Sequence, residues 1–217
     1  MAKNAGGEDQ GLPITGRKSA YVMRNRKALI SATNEVFAKL GAEATVEDIA
    51  KHAEISVTTI YSHFRTKSEL FEFAAAEATS NYLTWVKQVV KSEDDLLLKF
   101  VTIPRMLFRQ QQTHPLYAEI ARKNFGSFLL SMKPASEDMA SDAGKLMKSG
   151  ALSMDNPQIR LETFLAAVFG IYQKTLFESD IKIKDADIAL EIALGILCIP
   201  PVKAKKLAHS TLPTIKN

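Results

Sequence analysis

The stretch TVEDIAKHAEISVTTIYSHFRTK, residues 45–67, decides the fold of this chain. Thr45, with Asp48 three residues later, is typical of a helix N-terminus whose side chains cap each other's backbone amides. Apolar residues then recur at the spacing of one helical face, at Val46, Ile49, Ala50 and Ala53. After a break at residues 54–56, Ser56 can cap a second helix with Ile60 and Phe64 on its inner face. The stretch therefore predicts two short helices joined by a tight turn.

The outer face of the second helix carries small and hydrogen-bonding residues, where a solvated helix usually carries Glu and Lys. These residues are Val57, Thr58, Tyr61, Ser62 and His63. Small polar side chains allow a helix backbone to approach a duplex in the major groove, and a threonine methyl group can contact thymine. The pattern predicts a helix-turn-helix whose second helix reads DNA.

A longer string of residues carries a family resemblance. A preceding helix is predicted over residues 29–40, and the string that follows is Asp48-Ile49-Ala50 … Ser56-x-x-Thr59-x-Tyr61-x-His63-Phe64-x-x-Lys67-x-x-Leu70. Over residues 24–71 it resembles the DNA-binding head of the TetR family of transcriptional repressors. One position departs from the family pattern, because Glu54 stands in the turn where the family usually has glycine. If that position needs a positive φ, glutamate costs about 1 kcal/mol relative to glycine.

The resemblance implies an all-α fold, with a three-helix DNA-binding head followed by a helical ligand-binding and dimerisation domain. It implies that Thr45, Tyr61, His63 and Lys67 hold DNA phosphates, which fixes register without reading sequence. Val57, Thr58 and Thr59 are expected to face the bases or the adjacent backbone. Ser56, Ser62 and Arg24 complete the predicted DNA-binding surface. Arg24 lies near the start of the first helix, which is expected to begin at about Tyr21, and Arg17 and Lys18 lie on a flexible basic arm.

Composition agrees with a DNA-binding protein. The chain has 217 residues, a formal net charge of +4, 46% hydrophobic residues and 24% charged residues, which is ordinary for a globular protein. Residues 17–67 contain nine Lys and Arg against five Asp and Glu, so this segment matches the net charge of the whole chain. One cysteine, no long apolar run and no apolar signal core predict a soluble, cytoplasmic protein without a membrane partner.

The chain divides into four predicted parts. Residues 1–19 form a disordered basic arm, 20–67 the DNA-binding domain, 68–198 the effector-binding and dimerisation domain, and 199–217 a loose tail. Within the second domain, Asp94 or Asp95 is expected to cap a helix that Pro104 kinks or breaks. A single helix is predicted over residues 116–130. Asn156 and Pro157 begin a long helix to about Phe177, and Asp185 or Asp187 caps a last helix over residues 188–197.

Those last two helices are apolar on most of their circumference, which indicates a partner beyond their own chain. In the TetR family the last two long helices of two subunits form a four-helix dimer interface, and the resemblance therefore implies a homodimer. The residues expected at that interface are Phe164, Val168, Ile171, Ile188 and Ile192.

The second domain is rich in large apolar side chains, which fill a core in most proteins. The family resemblance implies a further role, an internal cavity for a small apolar or aromatic effector. Chosen by their helix positions, the candidate lining residues are Trp85, Met106, Phe108, Tyr117, Phe125, Phe128, Phe164 and Tyr172.

Signatures of catalysis are missing from the sequence. The four histidines are scattered, no Cys/His spacing suits a metal, and Cys198 resembles a packed small hydrophobe. We therefore expect no enzyme activity, cofactor or metal. The expected function is a TetR-like regulator, most simply a repressor that binds a palindromic operator as a dimer and is released by a ligand. The alternatives are an activator of the same fold, or a ligand-binding or protein-interaction dimer whose head has lost specific DNA recognition.

Overall fold

The computed structural model describes residues 16–123, 125–178 and 181–213, without the side chains of residues 16–25, 42, 92 and 127. Within these ranges the chain is helical and contains no strand. The helices are α1 (Gly16–Leu40), α2 (Val46–His52), α3 (Val57–Tyr61), α4 (Lys67–Val89), α5 (Leu96–Phe108), α6 (Gln110–Thr113), α7 (Pro115–Lys123), α8 (Phe125–Ser131), α9 (Lys133–Lys148), α10 (Pro157–Phe177), α11 (Ile183–Leu194) and α12 (Pro201–Ala208). The predicted all-α fold is confirmed.

Helices α1 to α3 and the start of α4 enclose a small core of their own, and we call this unit the head. Its buried side chains are Leu29, Val36, Ala44, Val46, Ile49, Ala50, Ile60, Phe64 and Leu70. Helices α5 to α12 pack with the rest of α4 around a larger core, and we call this unit the body. Helix α4 runs through both units, so its first turns lie in the head and its last turns in the body.

The head begins earlier than predicted. Helix α1 starts at Gly16, so the predicted arm over residues 1–19 overlaps its first turn. Residues 16–20 contain no proline, and Arg17, Lys18 and Ala20 favour helix, which allows the helix to extend back to the glycine. Residues 1–15 lie outside the described part of the chain.

The middle of the body differs from the prediction in two places. Helix α5, capped by the Asp95 carboxylate as expected, continues through Pro104 and ends only at Phe108. Burial of the side chains around Pro104 offsets the backbone hydrogen bond that proline cannot donate. The single helix predicted over residues 116–130 is two helices, α7 and α8, and Asn124 between them lies outside the described residues.

The C-terminal part of the body contains two corrections. Helix α11 begins at Ile183, and neither Asp185 nor Asp187 caps it, because Lys182 is its N-cap and Asp187 is buried in an ion-pair cluster. The tail predicted to be loose contains α12, with Ala204, Leu207 and Ala208 buried against the body. Pro200 and Pro201 suggested a break in helix, but proline at the first helical position favours a helix start.

Candidate DNA-binding surface and internal cavity

The first helix of the predicted motif is held by the capping box expected from its sequence. The Asp48 backbone N–H donates to the Thr45 hydroxyl at 3.0 Å, and the Thr45 backbone N–H donates to the Asp48 carboxylate at 2.9 Å. The Thr45 hydroxyl also donates to that carboxylate at 2.6 Å. These bonds, first of all the one from the Thr45 hydroxyl, lower the pKa of Asp48 below its usual value. The Thr45 hydroxyl is therefore fully occupied in the cap.

The turn between α2 and α3 has the backbone geometry that the family pattern implies. Glu54 has φ of +54°, in the left-handed region that favours glycine, and its side chain is exposed. Ile55 then donates its backbone N–H to the Ala50 carbonyl at 3.0 Å, which closes the end of α2. The Ser56 hydroxyl caps α3 by accepting the Thr59 N–H at 3.1 Å. The helix-turn-helix is thus formed in full with glutamate at the strained position.

Helix α3 presents the predicted outer face to solvent. Its inner residues Ile60 and Phe64 are 1% and 3% exposed and fix it on the head core. The side chains of Thr58, Tyr61, Ser62 and His63 are exposed, and those of Val57 and Thr59 are half-buried.

Three of the hydroxyl groups on this surface are already used locally. Thr59 and Ser56 share a hydrogen bond of 2.8 Å between their hydroxyl oxygens, and Ser62 donates to the Thr59 carbonyl at 2.6 Å. Thr58 and Tyr61 have no such local bond among the described residues. Of the side chains predicted to face bases, Thr58 is therefore the one that is both exposed and available.

The basic residues flanking α3 have different environments. Arg26 does not project into solvent as a phosphate ligand would, because its guanidinium lies 4.4 Å from the Phe73 ring centroid and 5.6 Å from that of Phe64. Lys67 opens α4, half-buried, with its ammonium 5.3 Å from the Phe71 ring centroid. The side chain of Arg24 lies outside the described residues.

The head and body meet at a shared apolar cluster. Phe37 on α1 and Ala75 and Ala78 on α4 pack there against Ile120 on α7. Beside this cluster, the Lys123 ammonium on α7 donates to the Ala38 carbonyl at 2.8 Å and the Lys39 carbonyl at 3.3 Å, which caps the end of α1 from the body.

Gly41 follows α1 directly with φ of +62°, and a Cβ there would lie 2.9 Å from Cδ of Lys123. Glycine at this helix end thus serves both the backbone conformation and the contact with the body. Because α7 holds the end of α1, a movement of α7 in the body would shift the head.

The eight side chains predicted to line a ligand cavity form part of the body core instead. Met106, Phe108, Phe128, Phe164 and Tyr172 are buried, and Trp85, Tyr117 and Phe125 are half-buried against the same core. Several pack closely on one another: the Phe128 and Tyr172 ring centroids are 5.1 Å apart, and those of Phe125 and Phe128 are 6.1 Å apart.

Polar atoms are buried within this aromatic part of the core. The Tyr82 hydroxyl donates to the Met106 carbonyl at 2.7 Å, and the Tyr172 hydroxyl donates to the Gln110 side chain. Burial raises the pKa of both tyrosines above the usual value and lowers that of His114. The Nδ1 atom of His114 is buried and has no hydrogen-bond partner.

A cavity of about 320 Å³ lies elsewhere in the body, between α4, α5, α9 and α10. None of the eight predicted residues lines it. Its apolar lining consists of Leu83, Val86, Val90, Ile103, Pro104, Leu107, Met132, Ala135, Met139, Leu165, Val168 and Phe169, together with Tyr82. Pro104, at which the sequence predicts a kink or break in the helix, is among the lining residues.

The five residues predicted for dimerisation divide into two groups. Phe164 and Val168 are 0% and 3% exposed within the body core, so they cannot contact a second subunit, and this part of the prediction is wrong. Their positions on α10 face α5 rather than solvent, since Phe164 stacks on Phe100. Ile171 is half-buried, whereas Ile188 and Ile192 on α11 are 45% and 73% exposed.

The body is fastened by an ion-pair cluster that sequence reasoning missed. The Asp187 carboxylate accepts hydrogen bonds from Arg105 at 3.2 Å and from the two Nη atoms of Arg109 at 3.0 and 2.5 Å. Arg105, 3% exposed, also donates to the carbonyl and hydroxyl of Ser210 at 2.9 and 3.0 Å. The cluster joins α5, α11 and the residues after α12.

No helix in the described ranges is long and apolar enough to cross a membrane. The same ranges contain no group of three or more His, Cys, Asp or Glu side chains placed to hold a metal ion.

A three-helix head with an exposed second motif helix, joined to a larger helical body, defines a helix-turn-helix DNA-binding protein with a second domain. Residues 29–74 match the family described as bacterial regulatory proteins, tetR family. The match covers the head from α1 to the first turns of α4, and the rest of the body lies outside it. A search of curated protein sequences finds no significant match.

Solved structures share the fold over most of the chain. RolR in complex with resorcinol is 18% identical with a TM-score of 0.72, covering 91% of this chain and 100% of that one. FadR from Bacillus subtilis in complex with stearoyl-CoA is 13% identical with a TM-score of 0.62, covering 79% and 97%. SmeT, the repressor of the Stenotrophomonas maltophilia multidrug efflux pump SmeDEF, is 18% identical with a TM-score of 0.63, covering 78% and 88%. At these identities the likeness shows a common fold.

Proposed function

We propose that this protein is a repressor that binds a palindromic operator as a homodimer and leaves it when a small, largely apolar ligand enters the body. The observation that carries the DNA-binding part is the geometry of α3. Its inner face is anchored by Ile60 and Phe64, and its outer face offers Thr58, Tyr61, Ser62 and His63 without a single carboxylate. A helix of this kind can enter the major groove without repelling phosphate.

Within the proposed interface, Thr58 reads bases, and Tyr61, His63 and Lys67 hold phosphates at the groove edges. Thr45 and Ser56 act through the backbone, because their hydroxyl groups cap α2 and α3. Thr59 belongs with them, since its hydroxyl is bonded to Ser56. Two copies of α3 in a dimer would lie about one DNA turn apart, roughly 34–36 Å, which requires an operator of matching two-fold symmetry.

Three features support ligand control. The body contains a cavity of about 320 Å³, and the end of α1 is held by Lys123 from the body. Among proteins of the same fold, RolR is known in complex with resorcinol, FadR in complex with stearoyl-CoA, and SmeT is a repressor. For release, the ligand must bind the DNA-free arrangement more tightly, typically by about 1–3 kcal/mol.

The test is a titration of the purified protein against its own upstream DNA, with unrelated competitor DNA, at two salt concentrations. We expect saturable binding that survives competitor. Thr58→Ala should change the order of affinity among operator variants, whereas Lys67→Ala should weaken binding to all of them and reduce the salt slope by about one. Binding that disappears with competitor would leave only electrostatic attraction and would favour a ligand-binding or protein-interaction dimer instead.

A further inference from the structure

The cavity in the body has a polar end and an apolar end. The hydrogen bond from the Tyr82 hydroxyl to the Met106 carbonyl shows that these two residues lie side by side on α4 and α5, and their level serves as the reference point along both helices. Lys91 lies nine residues beyond Tyr82, and Lys99 lies seven residues before Met106, and both line the cavity. At 1.5 Å per residue they lie about 10–14 Å from that level, both towards the turn that connects the two helices. The opposite end, around Leu107 and Met132, is apolar.

The charges at the polar end do not cancel. Four lysines and two aspartates line the cavity. Asp138 is paired with Lys87 at 2.5 Å, and Asp142 with Lys145 at 2.7 Å. Within the described residues, Lys91 and Lys99 have no carboxylate within ion-pair distance. The cavity therefore offers two unpaired cations, one of them, Lys99, half-buried.

These lysines and aspartates determine which sign of ligand charge the cavity favours. A cationic ligand would meet aspartates that are already neutralised and would add its charge to Lys91 and Lys99. An uncharged apolar ligand would fill the apolar end and leave the lysines in water. A ligand with an anionic group on an apolar chain would contact both ends of the cavity favourably. Charge-assisted hydrogen bonds to a lysine that is partly withdrawn from water are stronger than those at a free surface.

The size of the cavity limits the ligand further. Its 320 Å³ corresponds to roughly ten water molecules at about 30 Å³ each. That volume suits an apolar group of about ten non-hydrogen atoms. The separation of about 10–14 Å between the Tyr82 level and the two lysines along the helices suits a chain better than a compact ring system.

We propose that this cavity binds a small amphipathic monoanion, a medium-chain carboxylate. Its chain lies between Leu107, Val168 and Phe169, and its carboxylate is bound by Lys99 and Lys91. The ligand that releases DNA in the proposed function would then be such a carboxylate, and this regulatory role rests on the proposed function.

The experiment is isothermal titration of the full chain with three probes of equal chain length: octanoate, 1-octanol and octylammonium. We expect octanoate to bind at least tenfold more tightly than 1-octanol, and octylammonium to bind most weakly. Lys99→Gln should lower the affinity for octanoate about tenfold and leave that for 1-octanol unchanged. Lys184→Gln, which removes an exposed lysine of α11 outside the cavity, is the matched control and should change neither affinity.

A second variant tests the place of the chain. Ala135 is half-buried and lines the cavity, so Ala135→Phe should fill it and abolish binding of octanoate and 1-octanol, with helix content and thermal unfolding checked alongside. Equal affinity for octanoate and 1-octanol, tightest binding of octylammonium, full octanoate binding by folded Ala135→Phe, or no saturable binding would each overturn the proposal.

The titration with operator DNA is made separately, first without any ligand. If octanoate binds but leaves operator affinity unchanged, the carboxylate site stands, and only the role of the carboxylate in releasing DNA is overturned. Loss of operator binding by the protein alone would overturn the proposed function without touching the site.

Discussion

Glu54 is the residue at which the local rules of the helix-turn-helix are least satisfied. Its φ of +54° places the Cβ close to the following carbonyl, a conformation that costs an ordinary residue roughly 1–2 kcal/mol. The capped helices on either side, at Asp48 and Ser56, hold the turn in place despite this cost. Its exposed carboxylate also lies in the turn that leads into α3, next to the surface proposed to approach phosphate.

Glu54→Gly should stabilise the head. Glycine adopts a positive φ without strain, and the greater entropy of glycine in the unfolded chain offsets only part of that gain. We expect roughly 1 kcal/mol, which corresponds to a rise in Tm of about 2–4 °C for a chain of this size. The measurement is thermal unfolding followed by circular dichroism. Glu178→Gly is the control, because Glu178 ends α10 at φ of −100°. Glycine there relieves no strain and only increases the entropy of the unfolded chain. A fall in Tm for both variants would show that the turn is not strained.

At the scale of elements, the sequence predicts helices whose ends are set by nearby side chains. The Thr45–Asp48 capping box and the Asp95 cap of α5 both depend on contacts within a few residues, and both are confirmed. Asp187 looks like a similar cap in the sequence, but its partners Arg105 and Arg109 are 82 and 78 residues away. No local pattern contains that information.

The residues of the candidate site also divide into those set by spacing along one helix and those set by contacts between distant helices. The exposed and buried faces of α3 could be predicted from helical periodicity, because each face is defined by spacing along one helix. The cavity could not, because a void depends on how the side chains of four helices fail to meet. The large aromatic residues chosen as its lining fill the core instead, and smaller residues such as Val86, Ala135 and Val168 leave the space.

Asp187→Asn should destabilise the body strongly. The substitution leaves Arg105 and Arg109 buried or half-buried without an anion, a change that typically costs about 3–5 kcal/mol. The measurement is the free energy of unfolding from urea denaturation at pH 7. Asp185→Asn, an exposed residue in the first turn of the same helix, should change it by less than about 0.5 kcal/mol. Equal effects of the two variants would contradict a role for the cluster in stability.

The difference in the free energy of unfolding between the native protein and Asp187→Asn should also depend on pH, which gives an independent check. Burial alone would raise the pKa of Asp187, but the hydrogen bonds and charges of Arg109 and Arg105 outweigh it, so the pKa lies below its usual value. A carboxyl whose pKa is lowered by folding stabilises the protein above its unfolded pKa and loses that contribution as the pH falls. The advantage of the native protein over Asp187→Asn should therefore be constant above about pH 5 and shrink below about pH 4.

For the whole molecule, the proposed regulation requires two subunits, and the apolar side chains left outside the core indicate where they meet. Ile188 and Ile192 are one turn apart on α11, and Ile159 and Phe177 on the adjacent α10 are 66% and 48% exposed. Burying one such side chain contributes about 1.5–3 kcal/mol, and two-fold symmetry repeats every contact. The α10–α11 surface therefore has the composition of a dimer interface, although Phe164 and Val168 take no part in it.

Ile192→Lys should convert the proposed dimer to a monomer, because the substitution places two like charges at a symmetric apolar contact. A monomer carries one α3 and loses the second half-site, so operator affinity should fall by at least tenfold. Light scattering coupled to size-exclusion chromatography measures the mass, and the operator titration measures the affinity. Val202→Lys is the matched control: Val202 is 85% exposed on α12, outside this surface, so mass and affinity should both be unchanged. A native protein that elutes as a monomer, or an Ile192→Lys dimer with full operator affinity, would refute the assignment of this surface and require another route to two-fold operator recognition.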